Sequence, residues 1–213
     1  MTSALATILK DKLSNIDNGE GMPKGLLFID KIAGLVQMVE RQQPTEVEGI
    51  FSVSKFPVSI DIDYEDCFNS GCFKDMVPNS KLKGILYFEE YGTKATGMDK
   101  SKFQYNSLLR LVVWINNKLI QGQDCKSINH ILITQIRKTL EVGYFNCDDF
   151  SKIHVKTTNI ILNDYRLFSR YSYPKEVIKY LMHPYEAFGL ELSIDYSVND
   201  SCFTEFELNP TSC

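Results

Sequence analysis

Four acidic side chains crowd one short stretch of the chain: Asp61, Asp63, Glu65 and Asp66. Paired carboxylates on one face of a strand are groups that can hold magnesium and activate water for hydrolysis. Here Val58, Ile60, Ile62 and Tyr64 alternate with Ser59, Asp61, Asp63 and Glu65. That period of two predicts a strand with an acidic outer face. A solvated strand face has the same composition, and no further ligand cluster at a recognisable spacing accompanies it. The stretch is therefore open to two uses, a metal-dependent hydrolase or nuclease built on Asp61 and Asp63, or an acidic surface facing solvent or a partner.

The other reactive residue types are scattered. Of six cysteines, only Cys67 and Cys72 lie close together. A zinc site needs two close pairs, or a pair with histidines at short spacing, so reduced, idle thiols are expected. His130, His154 and His183 have no adjacent Ser, Cys or Asp pattern of the kind that marks nucleophilic catalysis. Gly19-Glu20-Gly21 lacks the frame of a phosphate loop and serves to end a helix. The residues thus predict no catalytic group, no metal and no cofactor, and a protein that is not an enzyme.

The segment from Asp164 to Tyr173 interleaves aromatic rings with arginines: Tyr165, Arg166, Phe168, Arg170, Tyr171 and Tyr173. Such a run can stack on single-stranded nucleic acid, and it is equally the composition of a protein interface. The net charge of −4 favours the interface, because nucleic-acid binders carry a basic stripe and none is visible.

Those residues need a scaffold. With 213 residues and 44% hydrophobic content, the chain can build one α+β domain with a sizeable core. Its longest apolar stretches are broken by Asp30 or Arg110, which excludes a membrane-crossing helix. The first residues lack a signal-peptide pattern, so synthesis in the cytosol is expected.

The clearest element is a late strand. Between Ala187 and Val198, Phe188, Leu190, Leu192, Ile194, Tyr196 and Val198 fall on one face. The pattern predicts an antiparallel strand with one face on a core. Residues 108–115, apolar on both faces apart from Arg110, predict a central strand covered by helices. Residues 85–88 and 152–162 are further strands. Leu5, Ile8, Leu9, Leu13 and Ile16 place a helix over 3–16 with Ser3 as N-cap. Ile128, Ile131, Leu132, Ile136 and Leu140 make a second, opened by Ser127 and closed near Gly143. Pro174 starts a short helix through Met182. Residues 25–42 fit helix or strand. Residues 66–83 and 92–103 read as long loops, and the tail after Phe203 is irregular with a brief strand at 204–208.

The order of elements resembles a phage tail-terminator or head–tail connector protein. The local resemblance, closest to ring proteins of crAss-like phages of Bacteroidales, spans about residues 55–200. It is carried by Val77–Lys81 running into Gly84–Gly92, by Ser107–Asn117 and by Tyr185–Val198. It implies an antiparallel or mixed sheet with helices on one face, and a structural virion protein at the head–tail junction or in the tail. The resemblance further implies a ring homo-oligomer that contacts portal, connector or tail proteins. DNA would pass through it without specific binding or any membrane, with Asp61, Asp63 and Glu65 as candidate channel lining. The competing functions are the metal-dependent hydrolase or nuclease and a cytosolic protein-binding module.

Overall fold

The computed structural model describes residues 1–14, 26, 29–44, 51–61, 72–99, 102–122, 126–147, 150–162 and 165–199. The chain folds as α+β; among the described residues a seven-stranded mixed sheet is curled into a half-barrel, with four helices. The strands are β1 (Lys31–Pro44), β2 (Phe51–Ser59), β3 (Gly84–Asp99), β4 (Lys102–Asn116), β5 (Phe145–Cys147), β6 (Phe150–Leu162) and β7 (Tyr185–Asn199). The helices are α1 (Thr2–Ser14), α2 (Asn117–Gln121), α3 (Asn129–Leu140) and α4 (Lys175–Ile178).

The sheet runs β2-β1-β3-β4-β7-β6-β5. Only the β1–β3 pair is parallel; the other neighbours are antiparallel. β4 is thus the central strand, as its two apolar faces predict. The ambiguous stretch 25–42 resolves as strand from Lys31 onward. There β-branched and aliphatic residues meet partners on both sides of β1, and tertiary pairing overrides the near-helical spacing.

On the first sheet face, Leu5, Leu9 and Leu13 of α1 and Leu132, Ile133, Ile136 and Leu140 of α3 form the main core. They pack on Leu86, Phe88, Leu109, Leu111, Val113 and the six predicted inward residues of β7. The second face is covered over part of its length by residues 165–185. Leu167, Phe168 and Tyr171 pack there against Ile85, Tyr87, Val112 and Trp114. Trp114 donates from Nε1 to the Tyr180 carbonyl at 2.6 Å and stacks on Tyr185.

Several sequence expectations need correction. Residues 92–99 and 102–103 of the expected loop 92–103 are strand: β3 runs on to Asp99, which pairs with Lys102 of β4. Glycine and polar residues disguise the strand, but Gly92 sits at a register shift with φ +144, a conformation side-chain-bearing residues avoid. The predicted strand 58–64 ends at Ser59, and Ile60 and Asp61 form a turn whose Ile60 N–H bonds the Leu35 carbonyl. Helix α1 starts at Thr2, so Ser3 lies inside its first turn rather than capping it. Ser127 donates to Glu186 instead of capping α3, whose N-cap is Ile128. Gly143, at φ +57, does follow the end of α3. Pro174 is the N-cap of α4, which continues as a 3₁₀ turn over Lys179–Leu181. The first part of the expected loop 66–83 and the strand at 204–208 lie outside the described residues; a 3₁₀ turn, Cys72–Lys74, interrupts the rest of the loop.

Candidate functional site

The second sheet face carries charge in its middle. Alternation along the strands aims Tyr87, Glu89 and Tyr91 of β3, Arg110 of β4 and Glu191 of β7 to this side. The registers then line them up: Glu89 pairs with Arg110, Arg110 with Glu191, and Glu191 with Asn159 of β6. A polar ladder therefore crosses four strands where the apolar cover of residues 165–185 stops.

Glu89 is 1% exposed. Its Oε1 accepts from the Tyr171 hydroxyl at 2.5 Å, Tyr91 donates to Oε2 at 3.5 Å, and Arg170 Nη1 stands 3.8 Å from Oε2. Burial pushes the carboxyl above the usual glutamate range, against the Tyr171 hydrogen bond and the charges of Arg170 and Arg110. Burial and the Glu89 charge likewise push the Tyr171 hydroxyl up, so it stays a donor.

Arg110 is held on two sides. Its Nη2 donates to Glu191 Oε1 at 2.8 Å, and its guanidinium lies 4.2 Å from the Tyr91 ring centre. Arg170 approaches the same ring at 5.5 Å. The Arg110 hydrogen bond holds the Glu191 carboxyl below its usual range, and Asn159 Nδ2 adds a second bond to it at 3.1 Å. Beside this pair a cleft of about 390 Å³ opens, lined by Tyr91, Arg110, Asn159, Ile161, Arg166, Leu167 and Ser169.

The sequence-predicted residues divide. In the aromatic–arginine segment, Phe168 and Tyr171 are buried in the second core and Tyr173 stacks on Tyr171. These rings pack on the sheet, while Arg166 and Arg170 are exposed. Tyr165 begins the 3₁₀ turn Tyr165–Phe168. Asp61 lies in the turn after β2, exposed and 3.8 Å from Lys10. Asp63 and Glu65 lie outside the described residues, as does Cys67. Among the described residues, no three His, Cys, Asp or Glu side chains gather as a metal site would require. His154 stacks near Tyr144, and His130 and His183 are exposed.

Sequence reading missed Glu89, Arg110 and Glu191 as a group. Their visible signal was Arg110, which interrupts a run of seven apolar residues. Only strand register reveals that the three charges meet. No helix among the described residues is long and apolar enough to cross a membrane. No known family pattern matches the chain, and no curated protein matches it.

Proposed function

We propose that the chain is a non-catalytic structural subunit that assembles head to tail with its own copies into a ring. The reading follows the phage head–tail connector and tail-terminator rings that parts of the sequence resemble. One observation carries it: among the described residues, the block β3-β4-β7-β6 has an open edge on each side. β1 meets β3 between Ile85 and Phe88, so among the described residues the arm from Gly92 to Asp99 is paired by β4 alone. Thr93, Lys94, Ala95, Thr96 and Met98 are exposed along it. At the far side, β5 pairs β6 at Phe150 and Ile153, leaving the stretch to Leu162 with one neighbour strand among the described residues.

The strand directions suit a continuous sheet. β3, β4, β7 and β6 alternate, so β6 of one copy would meet β3 of the next antiparallel. The arm and the open part of β6 sit at different heights along the strands, which a tilted, staggered ring accommodates. Unlike surfaces that join and close make a ring. Natural proteins seldom leave long edges unprotected; here side chains cover the Thr157 N–H, by Glu141 at 2.9 Å, and the Ile160 N–H, by Asn159 Oδ1 at 2.9 Å. In such a ring, Asp61, Asp63 and Glu65 are proposed channel lining, and portal, connector or tail proteins are the proposed axial partners in a virion.

Light scattering with negative-stain imaging tests the reading. Closed rings are expected, and a T96C/I160C double variant should give covalent ladders on oxidation where either single variant does not. A mass of one 24.4 kDa chain at every concentration would overturn it.

A further inference from the structure

Residues 165–181 cover the second sheet face without belonging to the sheet. β6 ends at Leu162 and β7 begins at Tyr185, and Leu162 pairs with Phe188 across the two strands. The segment therefore hangs like a strap from two neighbouring points, and swinging it away parts no pair of the seven strands. Local bonds close its turns: the Ser169 N–H donates to the Arg166 carbonyl at 3.1 Å, and the Tyr171 N–H to the Phe168 carbonyl at 2.9 Å. Among the described residues its one bridge to a strand is the reciprocal pair between Ser172 and Lys55 of β2, at 3.2 and 3.3 Å. Segments joined to a fold by few backbone bonds are the ones that open locally.

The seam between strap and sheet holds a carboxyl. Glu89 of β3 is 1% exposed, and two of its partners sit on the strap. The Tyr171 hydroxyl donates to Oε1 at 2.5 Å, and Arg170 Nη1 stands 3.8 Å from Oε2. Tyr87 and Tyr91 of β3, Arg110 of β4 and Tyr173 of the strap also face it. Burial pushes the four tyrosine hydroxyls up, so they stay neutral while the carboxyl titrates. Arg110 already donates to Glu191 of β7. Arg170, with 44% of its side chain exposed, offsets a charge on Glu89 only in part. Losing the proton thus leaves a poorly solvated carboxylate in the seam, and lifting the strap lets water reach it.

We propose that the segment Tyr165–Leu181 is a strap that undocks from the sheet while the strands stay paired, and that loss of the Glu89 proton promotes its release. Below pH 4.5 the carboxyl is neutral whether the strap is docked or open. Between 4.5 and its raised value in the docked form, only the docked form keeps the proton, so opening increases by up to about tenfold per pH unit. Above the raised value both forms are ionised and opening levels off.

Hydrogen exchange of the full chain from pH 4 to 8, read by mass spectrometry with the intrinsic pH dependence of exchange divided out, tests the strap. Peptides covering 166–173 are expected to exchange about 100-fold or more faster than those of β4 and β7. Their protection should fall between pH 4.5 and a plateau. Trp114, the chain's one tryptophan, lies beneath the strap at 1% exposure, so acrylamide quenching of its fluorescence should rise over the same range. E89Q, neutral at every pH, should keep the faster exchange of the strap and lose its pH trend. Strap exchange no faster than that of β4 and β7, strap protection flat across the pH range, or the same trend in E89Q overturns the proposal. The first two outcomes need no variant.

Discussion

Glu89 and Arg110 face each other in the β3–β4 ladder, yet each is hydrogen-bonded to a different neighbour. Glu89 accepts from Tyr171, on the cover, while Arg110 turns away to Glu191 on β7. The division puts an acid under the cover and a base at its rim. A buried charge is costly unless it is paired and hydrogen-bonded, and each member finds a partner outside the cross-strand pair.

The acid makes stability depend on pH. Burial raises the Glu89 carboxyl above its ordinary value of 4.5, so the folded chain holds a proton that the unfolded chain releases. Stability from this group is full below pH 4.5 and declines as pH rises through the raised folded value. Glu141 and Glu191 run the other way: both are held low, and their contribution is lost as pH falls through values below 4.5. Thermal melting from pH 3 to 8 should therefore show a maximum, and E89Q should remove the decline on its alkaline side. A profile unchanged in E89Q would show that Glu89 does not carry it.

Gly189 is the floor on which the cover rests. A Cβ there would come 2.5 Å from Leu167 Cδ2, and Leu167 is fully buried. G189A should destabilise the protein by about 1–3 kcal/mol through overpacking. Urea denaturation measures it, and the double variant G189A/L167A should lose less than the sum of the single changes, since the clash is relieved.

Glu141 ties the end of α3 to β6. It accepts two bonds from Arg137, at 3.1 and 3.0 Å, and one from the Thr157 N–H at 2.9 Å. Burial pushes its carboxyl up, but these hydrogen bonds outweigh that and hold it low. E141A should cost about 1–2 kcal/mol and speed hydrogen exchange at Thr157. E141Q, which keeps an acceptor, should fall between.

Met98 is 64% exposed on the β3 arm. If the arm joins copies, M98K should lower the oligomer mass while the melting temperature of the separated subunit stays within about 1 °C, as surface changes do. Light scattering and calorimetry on the same sample read both quantities. An unchanged mass would remove the arm from the assembly surface.

Much of the scaffold is legible in the residues. The strict alternation of Phe188–Val198 and the two apolar faces of Leu108–Ile115 reflect burial, a local and strong signal. Both longer helices announce themselves by spacing. The β3 arm is illegible because an exposed hairpin carries no buried face to set a period; Thr93–Gly97 has loop composition in a strand. The aromatic–arginine run is ambiguous for the opposite reason, since the same residues that suit a partner surface also suit packing on the chain's own sheet. The polar ladder is invisible because it is a fact of register, joining positions that lie dozens of residues apart.

The order of the strands also shapes how the chain is made. β3 and β4 are adjacent in sequence and can zip at once, whereas β4 finds its other neighbour in β7, across separations such as the 87 residues between Asn106 and Ser193. A chain emerging from the ribosome presents the apolar β4 with one edge bare until β7 is synthesised. Closing so long a loop is slow. During translation, the strand destined for the centre of the sheet is the one most exposed to mispairing and to capture by chaperones.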